Sequence, residues 1–246
     1  GITEHTHRFE EFRPVYEHLW TDSRCDPVVA AWMGKEFKYS LEDYFKLLDE
    51  GRRVGIPLKI GLEADYFPRS EERLRSLLKT CNLDYVIGSV HFLDHWAFDY
   101  DPKVWTGRNV DEAYLDYITM VEKMVRSGLF DILGHLDVLK VFGARPTKNL
   151  DMQWKALLNS ILQADLVIEV STAGLRKSVG EIYPHPDILR EACGLGIPIT
   201  VSSNAHTPLD VGDRWEQAVR LAISVGYRRY SSFTKRNRTD HKLPPL

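Results

Sequence analysis

The sequence is poor in the features that would place it in a membrane, in an oxidising compartment or on nucleic acid. No apolar run approaches the roughly 20 residues of a membrane-spanning helix, and no charged-then-apolar leader opens the chain. Its three cysteines, Cys25, Cys81 and Cys193, have no paired spacing, which favours reduced thiols and a cytoplasmic protein. The net charge is only −3, which gives no electrostatic reason to expect a nucleic acid as partner.

The composition is that of a globular protein. With 43% hydrophobic and 27% charged residues, the 246-residue chain can bury a sizeable core. It contains no internal repeat, low-complexity segment or linker. We therefore predict a single domain spanning residues 1–246.

Apolar, β-branched segments that end in a polar side chain recur along the chain. They are residues 1–5, 58–63, 84–91, 131–135 and 199–206. In a parallel α/β barrel the carboxyl ends of the strands converge on one face, so we expect the polar ends to meet there. Imidazoles and carboxylates are suitable ligands for divalent metal ions. The predicted metal ligands are His5, Glu63, His91, His135, Asn204 and His206.

Helical patterns alternate with these segments. Helices are predicted over residues 40–54, 70–81, 109–127, 151–164, 184–194 and 208–225, with further strands at 166–171 and near 228–233. Residues 6–38 show no regular pattern and form a candidate lid over the pocket. The alternation indicates an α/β barrel with six βα-type strands. Because barrels close with more than six, we expect a first βα unit to precede Gly1.

Six short motifs, in this order and at strand ends, resemble the polymerase-and-histidinol-phosphatase (PHP) family, and within it the monofunctional histidinol-phosphate phosphatases. The motifs are GITEH (1–5), GLEADY (61–66), DYVIGSVH (84–91), GHLD (134–137), STAGLRK (171–177) and SSNAH (202–206). The resemblance implies a distorted (β/α)7 TIM-like barrel that holds two or three divalent ions, Zn, Mn or Fe.

The resemblance also implies roles for individual residues. Glu63 is similar to the bridging carboxylate of the family, His91 and His135 to ligands of a second metal, and His5 and His206 to ligands of a third. Asn204 stands where the family has an aspartate. Since a carboxamide contributes no charge, we expect weaker metal binding at that position.

A second departure concerns the His-x-His pair that opens the family's first strand. This pair is absent, although His5-Thr6-His7 has the same spacing and is an alternative register. Both departures affect the same metal position. The sequence is therefore compatible with a fragment, a substituted variant or an impaired homologue.

The family hydrolyses phosphate esters with a metal-bound hydroxide. We expect Glu63, His206 and Arg176 to be catalytic, with Arg176 binding phosphate through its guanidinium fork. Lys140 and Lys177 are lesser phosphate-binding candidates. The alternative for these three cations is an ordinary solvated surface position.

Other polar and aromatic residues are open to two interpretations. Asp65 and Asp94 are candidates to hold ligand histidines, and Glu169 is either paired inside the barrel or part of the site. His7, His18, His95 and His185 are ambiguous, while His241 is expected to be exposed. Trp96, Phe98, Tyr100 and Trp105, with nearby aspartates, form either a recognition loop for a flat cationic head group or a loop packed on itself.

The resemblance predicts hydrolysis of L-histidinol phosphate in histidine biosynthesis. The predicted partner is a small phosphorylated substrate, with no nucleic acid and no membrane, and the oligomeric state is not predicted. Two alternatives are a PHP enzyme acting on another small phosphate ester and a metal-binding protein with weak catalysis.

Overall fold

The computed structural model describes residues 1–245, and it is built on a six-stranded parallel sheet. The strands are β1 (Ile2–His5), β2 (Ile60–Asp65), β3 (Tyr85–Ser89), β4 (Phe92–Leu93), β5 (Trp96–Ala97), β6 (Ile132–Leu133), β7 (Val167–Ser171), β8 (Ile199–Ser202), β9 (Arg229–Thr234) and β10 (Asn237–Lys242). The main sheet has the order β1-β2-β3-β6-β7-β8, while β4-β5 and β9-β10 form two separate hairpins. The expected α/β architecture of six parallel strands is confirmed.

The register of the sheet brings the polar strand ends together. His5 lies opposite Glu63 in the β1–β2 pair, and Gly88 lies opposite Leu133 in the β3–β6 pair. His91 and His135 each follow the last residue of their strand by two positions. The carboxyl ends of β1, β2, β3 and β6 therefore deliver their polar residues to one end of the sheet.

Nine α-helices accompany the sheet in the described part of the chain. They are α1 (Arg13–Tyr16), α2 (His18–Thr21), α3 (Pro27–Met33), α4 (Leu41–Arg53), α5 (Glu71–Leu78), α6 (Val110–Arg126), α7 (Asp151–Gln163), α8 (Pro186–Leu195) and α9 (Trp215–Val225). Side-chain caps fix several starts, as at α4, where Ser40 accepts a hydrogen bond from the amide of Asp43. No helix within residues 1–245 has the length and apolar character needed to cross a membrane.

The prediction of an irregular lid over residues 6–38 is wrong. This segment contains α1 to α3 and short 3₁₀ turns, and it contributes fully buried side chains such as Phe12, Tyr16 and Met33 to the main core. Its apolar residues are spaced irregularly because each helix is only one or two turns long. A periodicity search over longer windows therefore misses them.

Other boundaries differ by shorter distances. Helix α9 begins at Trp215 rather than 208, because Pro208–Asp210 forms a 3₁₀ turn first. The helical spacing of Leu47 and Val54 predicts that they lie on a buried face, but they are 65% and 77% exposed. The strand expected near 228–233 is present as β9, and it pairs with β10. Strand β10 was not predicted, because all six of its residues are exposed and show no apolar alternation. All three cysteines are free thiols, as expected.

Candidate metal centre

Glu63, His91 and His135 form a compact group, called here the strand-end cluster. The Nε2 atoms of His91 and His135 lie 3.2 Å apart, and Glu63 Oε1 lies 3.2 Å from His135 Nε2 and 3.7 Å from His91 Nε2. The three side chains are largely buried. They are the group of histidine and carboxylate donors in residues 1–245 whose ligand atoms are close enough together to hold one metal ion.

The donor geometry fits a divalent cation. Bond lengths near 2.0–2.1 Å in a tetrahedral site place neighbouring N and O ligands roughly 3.3 Å apart. The observed separations of 3.2–3.7 Å match that requirement. In addition, two buried ring nitrogens that face each other cannot both be satisfied without a hydrogen or a cation between them. The residues present therefore suit a metal ion.

Hydrogen bonds behind the cluster hold each ligand in place. His91 Nδ1 lies 2.6 Å from Asp65 Oδ1, so that a proton donated from Nδ1 to the carboxylate leaves Nε2 free as a ligand. Ser89 donates to Glu63 Oε1 at 2.7 Å, and the amide of His135 donates to Glu169 Oε2 at 2.7 Å. The expected contact between Asp65 and His91 is confirmed, while metal ligation by His91 stays a prediction. Of the two interpretations of Glu169, the structure shows the paired one, since its carboxylate accepts hydrogen bonds from His135 and Ser202.

Asp65 also belongs to a buried network that the sequence did not reveal. Tyr16, which is fully buried, donates to Asp65 Oδ2 at 2.9 Å and shares a 2.6 Å hydrogen bond with Thr6. His7 Nδ1 lies 3.7 Å from the same carboxylate oxygen. The role of Tyr16 was missed because it lies in the segment expected to be a lid, whereas Ser89 lies two residues before His91 and could have been found from strand alternation.

Burial and neighbouring charges make His5 and Glu63, but not His91, ready to bind a metal ion. Burial lowers the pKa of His5 to about 3, so this ring is neutral. Burial alone would raise the pKa of Glu63, but its histidine neighbours, His5 first and then His135, lower it well below its usual range. Burial would likewise lower the pKa of His91, yet the carboxylate of Asp65 outweighs it and raises that pKa to about 10. A metal ion that binds His91 Nε2 would therefore displace a proton from this nitrogen.

A second group of histidines borders the strand-end cluster. His5 Nδ1 lies 3.9 Å from Glu63 Oε2, and the His5 ring stacks on His7 with centroids 4.7 Å apart. The ring of His206 is 5.6 Å from that of His5, but His206 is exposed. The structure thus brings His5 and His206 together beside Glu63, while their role as metal ligands stays a prediction.

Arg176, in the 3₁₀ turn after β7, contacts the loop after β8 that carries Asn204. Asn204 has a left-handed backbone with φ of 43°, which Asn and Asp tolerate better than other side chains. Arg176 donates to the carbonyls of Ser203 and Asn204 at 2.6 and 3.0 Å and to Asp213 at 3.2 Å. In this structure the guanidinium fixes the Asn204 loop, and its phosphate-binding role stays a prediction.

The two lysines proposed for phosphate binding occupy different environments. Lys140 is only 1% exposed, and its Nζ contacts Asp137 at 2.9 Å and Glu181 at 3.2 Å. Lys177 is exposed. Lys140 therefore neutralises two carboxylates beside the cluster, which accounts for its burial.

The expectation that Asp94 holds a ligand histidine is wrong. Asp94 is exposed and pairs with Arg69 at 3.1 Å, Arg24 at 3.4 Å and His95 at 3.3 Å. Asp94 has a positive φ of 54° and lies in the turn after β4. Spacing alone could not separate Asp94 from Asp65, because Asp65 ends one strand and Asp94 directly follows another.

The remaining ambiguous histidines lie outside the cluster. His95 contacts Cys25 Sγ at 3.1 Å through Nδ1, and the His18 ring lies 5.9 Å from that of His95. His185 caps α8 and accepts a hydrogen bond from the amide of Asp187. His241 lies exposed in β10, as expected.

The aromatic residues after His91 divide into two sets. Trp96, Phe98 and Trp105 pack on one another, with Trp96–Trp105 centroids 4.8 Å apart and Trp105 Nε1 donating to the Phe98 carbonyl. Tyr100 is instead 40% exposed and contacts Trp32, whose ring lies 6.1 Å from that of His7. The loop thus packs largely on itself, and Tyr100 extends toward the histidines.

Comparison with known proteins identifies the class of this chain. A family model described as "PHP domain" matches residues 1–173. The chain belongs to this family.

Named relatives agree with this class. The chain is 40% identical over 178 residues to the "Probable histidinol-phosphatase" of Deinococcus radiodurans, and this match covers 70% of the chain. It is 27% identical over 184 residues to the "Histidinol-phosphatase" of Bacillus subtilis, covering 67% of the chain. These matches span 66% and 69% of the two relatives, so the chain covers about two thirds of their length.

A solved structure shares the fold. The histidinol phosphate phosphatase of Lactococcus lactis, solved with Zn, L-histidinol and phosphate, superposes with a TM-score of 0.71 at 19% identity. The superposition covers 96% of this chain and 97% of that protein.

Proposed function

We propose that this chain is a metal-dependent phosphoric monoester hydrolase acting on L-histidinol phosphate in the cytoplasm, and that residues 1–246 act as one domain. The observation that carries the proposal is the strand-end cluster, in which a buried carboxylate and two imidazoles converge with the donor spacing of a metal site. The names of the relatives from Deinococcus and Bacillus support the substrate.

The metal would be one of two or three divalent ions, with zinc, manganese or iron as candidates. Among these three metals, zinc is favoured by the zinc present in the solved Lactococcus structure. Held by Glu63, His91 and His135, with His5 and His206 as further ligands, such ions would lower the pKa of a bound water and neutralise charge on the phosphoryl oxygens. The main barrier to the reaction is the repulsion between an anionic phosphate and a nucleophile, and a Lewis acid would reduce this repulsion.

The chain's own side chains supply orientation. Asp65 fixes the tautomer and angle of His91, and Glu169 holds the backbone at His135. Arg176 positions the loop that carries Asn204 and His206, and we propose that it also contacts the phosphate when substrate binds.

The test is phosphate release from L-histidinol phosphate by the purified chain supplied with Zn²⁺ or Mn²⁺. Glu63→Gln serves as the negative control, because it removes the charge of the cluster while keeping the size of the side chain. Turnover by the chain that Glu63→Gln abolishes is the expected result. Phosphate release that is absent from the chain and from its Asn204→Asp form would reject the proposal.

One observation favours a second candidate, a metal-binding homologue with weak catalysis. Asn204 offers no negative charge at a position where the family has an aspartate. Stoichiometric metal without turnover on L-histidinol phosphate, 4-nitrophenyl phosphate or glycerol phosphate would support this candidate. Turnover restored by Asn204→Asp would trace the weakness to the missing charge.

A further inference from the structure

Asp99 is a half-buried carboxylate without a partner. Within residues 1–245 no other residue forms a hydrogen bond or ion pair with its side chain, whereas two aspartates of the same segment are occupied. Asp94 pairs with Arg69 and Arg24, and Asp101 accepts a hydrogen bond from the amide of Lys103 at 2.8 Å. The Asp99 oxygens keep contact with solvent, so this carboxylate is available to pair with a cationic ligand.

Asp99 lies beside the strand-end cluster. Burial raises its pKa, and His91, Asp65 and His135 are the charged neighbours that act on it most strongly. Tyr183, whose ring lies 6.3 Å from that of His135, is close enough to Asp99 for this carboxylate to raise the tyrosine pKa as well. Asp99 therefore lies within electrostatic range of the strand-end cluster.

The backbone around Asp99 is fixed. Phe98 is fully buried, with its ring 5.6 Å from that of Tyr117. Its carbonyl accepts a 2.8 Å hydrogen bond from Trp105 Nε1. Asp99 is thus presented by an anchored segment rather than by a free loop end, which limits the entropy lost when a ligand binds.

Aromatic rings adjoin this position. Tyr100 and Trp32 lie with their centroids 5.2 Å apart, and Trp32 also contacts His7. Tyr100 is 40% exposed and Trp32 is partly buried, so part of each side chain is accessible to a ligand. Flat or cationic groups bind such faces through stacking and cation–π attraction.

We propose that Asp99 binds the ammonium group of the substrate's alcohol portion, and that Tyr100 and Trp32 flank its ring. This inference rests on the proposed function. In an aminoalkyl phosphate such as L-histidinol phosphate, the ammonium is separated from the ester oxygen by two carbons. A carboxylate beside the metal ligands is therefore within reach of it while the phosphate faces the cluster.

The experiment compares Asp99→Asn with Asp101→Asn on two substrates. For L-histidinol phosphate, Asp99→Asn is expected to lower kcat/KM about 30- to 100-fold, mainly through KM, since a charge-assisted hydrogen bond is lost. For 4-nitrophenyl phosphate, which has no cation, the change is expected to stay below about threefold. Asp101→Asn should leave both substrates unchanged because its carboxylate only caps a turn.

Two controls separate recognition from metal binding and from failure of the enzyme. Metal content is measured in every variant, and an equal loss on both substrates together with lost metal would overturn the proposal in favour of a ligand role. Unchanged kinetics of Asp99→Asn on both substrates would also overturn it. If the unsubstituted chain releases no phosphate, calorimetry with L-histidinol decides, because binding that Asp99→Asn weakens supports the inference and absence of binding rejects it.

Discussion

Two histidine clusters of this molecule contain similar side chains but differ in the groups that their ring nitrogens face. In the strand-end cluster the ring nitrogens of His91 and His135 face each other across 3.2 Å, with Glu63 as their shared carboxylate. In the loop cluster, formed by His18, Cys25 and His95 with Asp22 and Asp94, each nitrogen of His95 faces a complementary group. Nδ1 lies 3.1 Å from Cys25 Sγ, and Nε2 lies 3.1 Å from Asp22 Oδ2.

The difference shows that ligand-type residues alone do not define a metal site. In the strand-end cluster the metal-binding atoms of two imidazoles and one carboxylate point at one another, so a cation between them would stabilise the group. In the loop cluster His95 Nε2 lies near the carboxylates of Asp22 and Asp94, and Arg24 and Arg69 pair with Asp94, so the negative charge is already balanced. The orientation set by neighbouring hydrogen bonds decides which group can bind a metal.

The largest expected effect comes from exchanging one histidine in each cluster. His91 and His95 are four residues apart on the same hairpin region, and each is replaced by Asn. His91→Asn is expected to remove bound metal and to lower kcat/KM by about 10²- to 10³-fold, because metal assistance contributes several kcal/mol. His95→Asn should keep the metal stoichiometry of the unsubstituted chain. Metal analysis of the folded fraction checks both, and equal metal loss would erase the distinction between the clusters.

The next effect concerns the carboxylates behind the clusters. Asp65→Asn removes the acceptor of His91 Nδ1 and is expected to weaken metal binding about 10- to 100-fold, which is usual for such supporting residues. Asp94→Asn is the matched control, since it touches only the loop cluster. Competition with a chromogenic chelator measures both affinities. A change of similar size in the two variants would show that Asp65 does not act through His91.

A smaller gain is expected on the exposed side of the site. Asn204→Asp adds a charge where the backbone already adopts a conformation that Asp tolerates. At a position screened by solvent, one extra charge near a cation contributes about 1 kcal/mol, or roughly fivefold in affinity. Asn82→Asp makes the same change on an exposed residue before β3, at the opposite end of the sheet, and should have no effect. Equal affinities for Asn204→Asp and the unsubstituted chain would place Asn204 outside the metal site.

Much of the strand-end cluster and of the surrounding fold could be predicted from the sequence. His91, His135 and Glu63 each follow or end an apolar segment, and because parallel strands align their carboxyl ends, strand order alone was enough to bring them together. Helix α6 was equally visible, since seven apolar residues repeat along one face over seventeen residues. These features depend on local periodicity and on one topological rule.

The parts that failed depend on long-range packing. The Tyr16–Asp65 hydrogen bond joins residues 49 positions apart, and Tyr16 ends helix α1, which is too short to show a helical repeat of apolar residues. Asp94 and Asp65 look alike in sequence, but the turn after β4 exposes Asp94 to three basic side chains. Which carboxylate supports a ligand was therefore decided by tertiary contacts that spacing does not encode.

The smallest expected effect tests the loop cluster through pH. Burial, followed by the charges of Arg69 and His95, lowers the pKa of His18 to about 4, while Asp94 and Asp22 oppose the shift. Between pH 6.5 and 4 the unfolded chain therefore binds more protons at this residue than the folded chain, so its contribution to stability is complete above pH 6.5 and is lost as the pH falls toward 4. Because His18 is partly exposed, we expect no more than about 1 kcal/mol, or 2–4 °C in Tm. Urea unfolding of His18→Gln should show a shallower loss of stability across this window, and parallel pH profiles for the two proteins would mean that His18 titrates alike in both states.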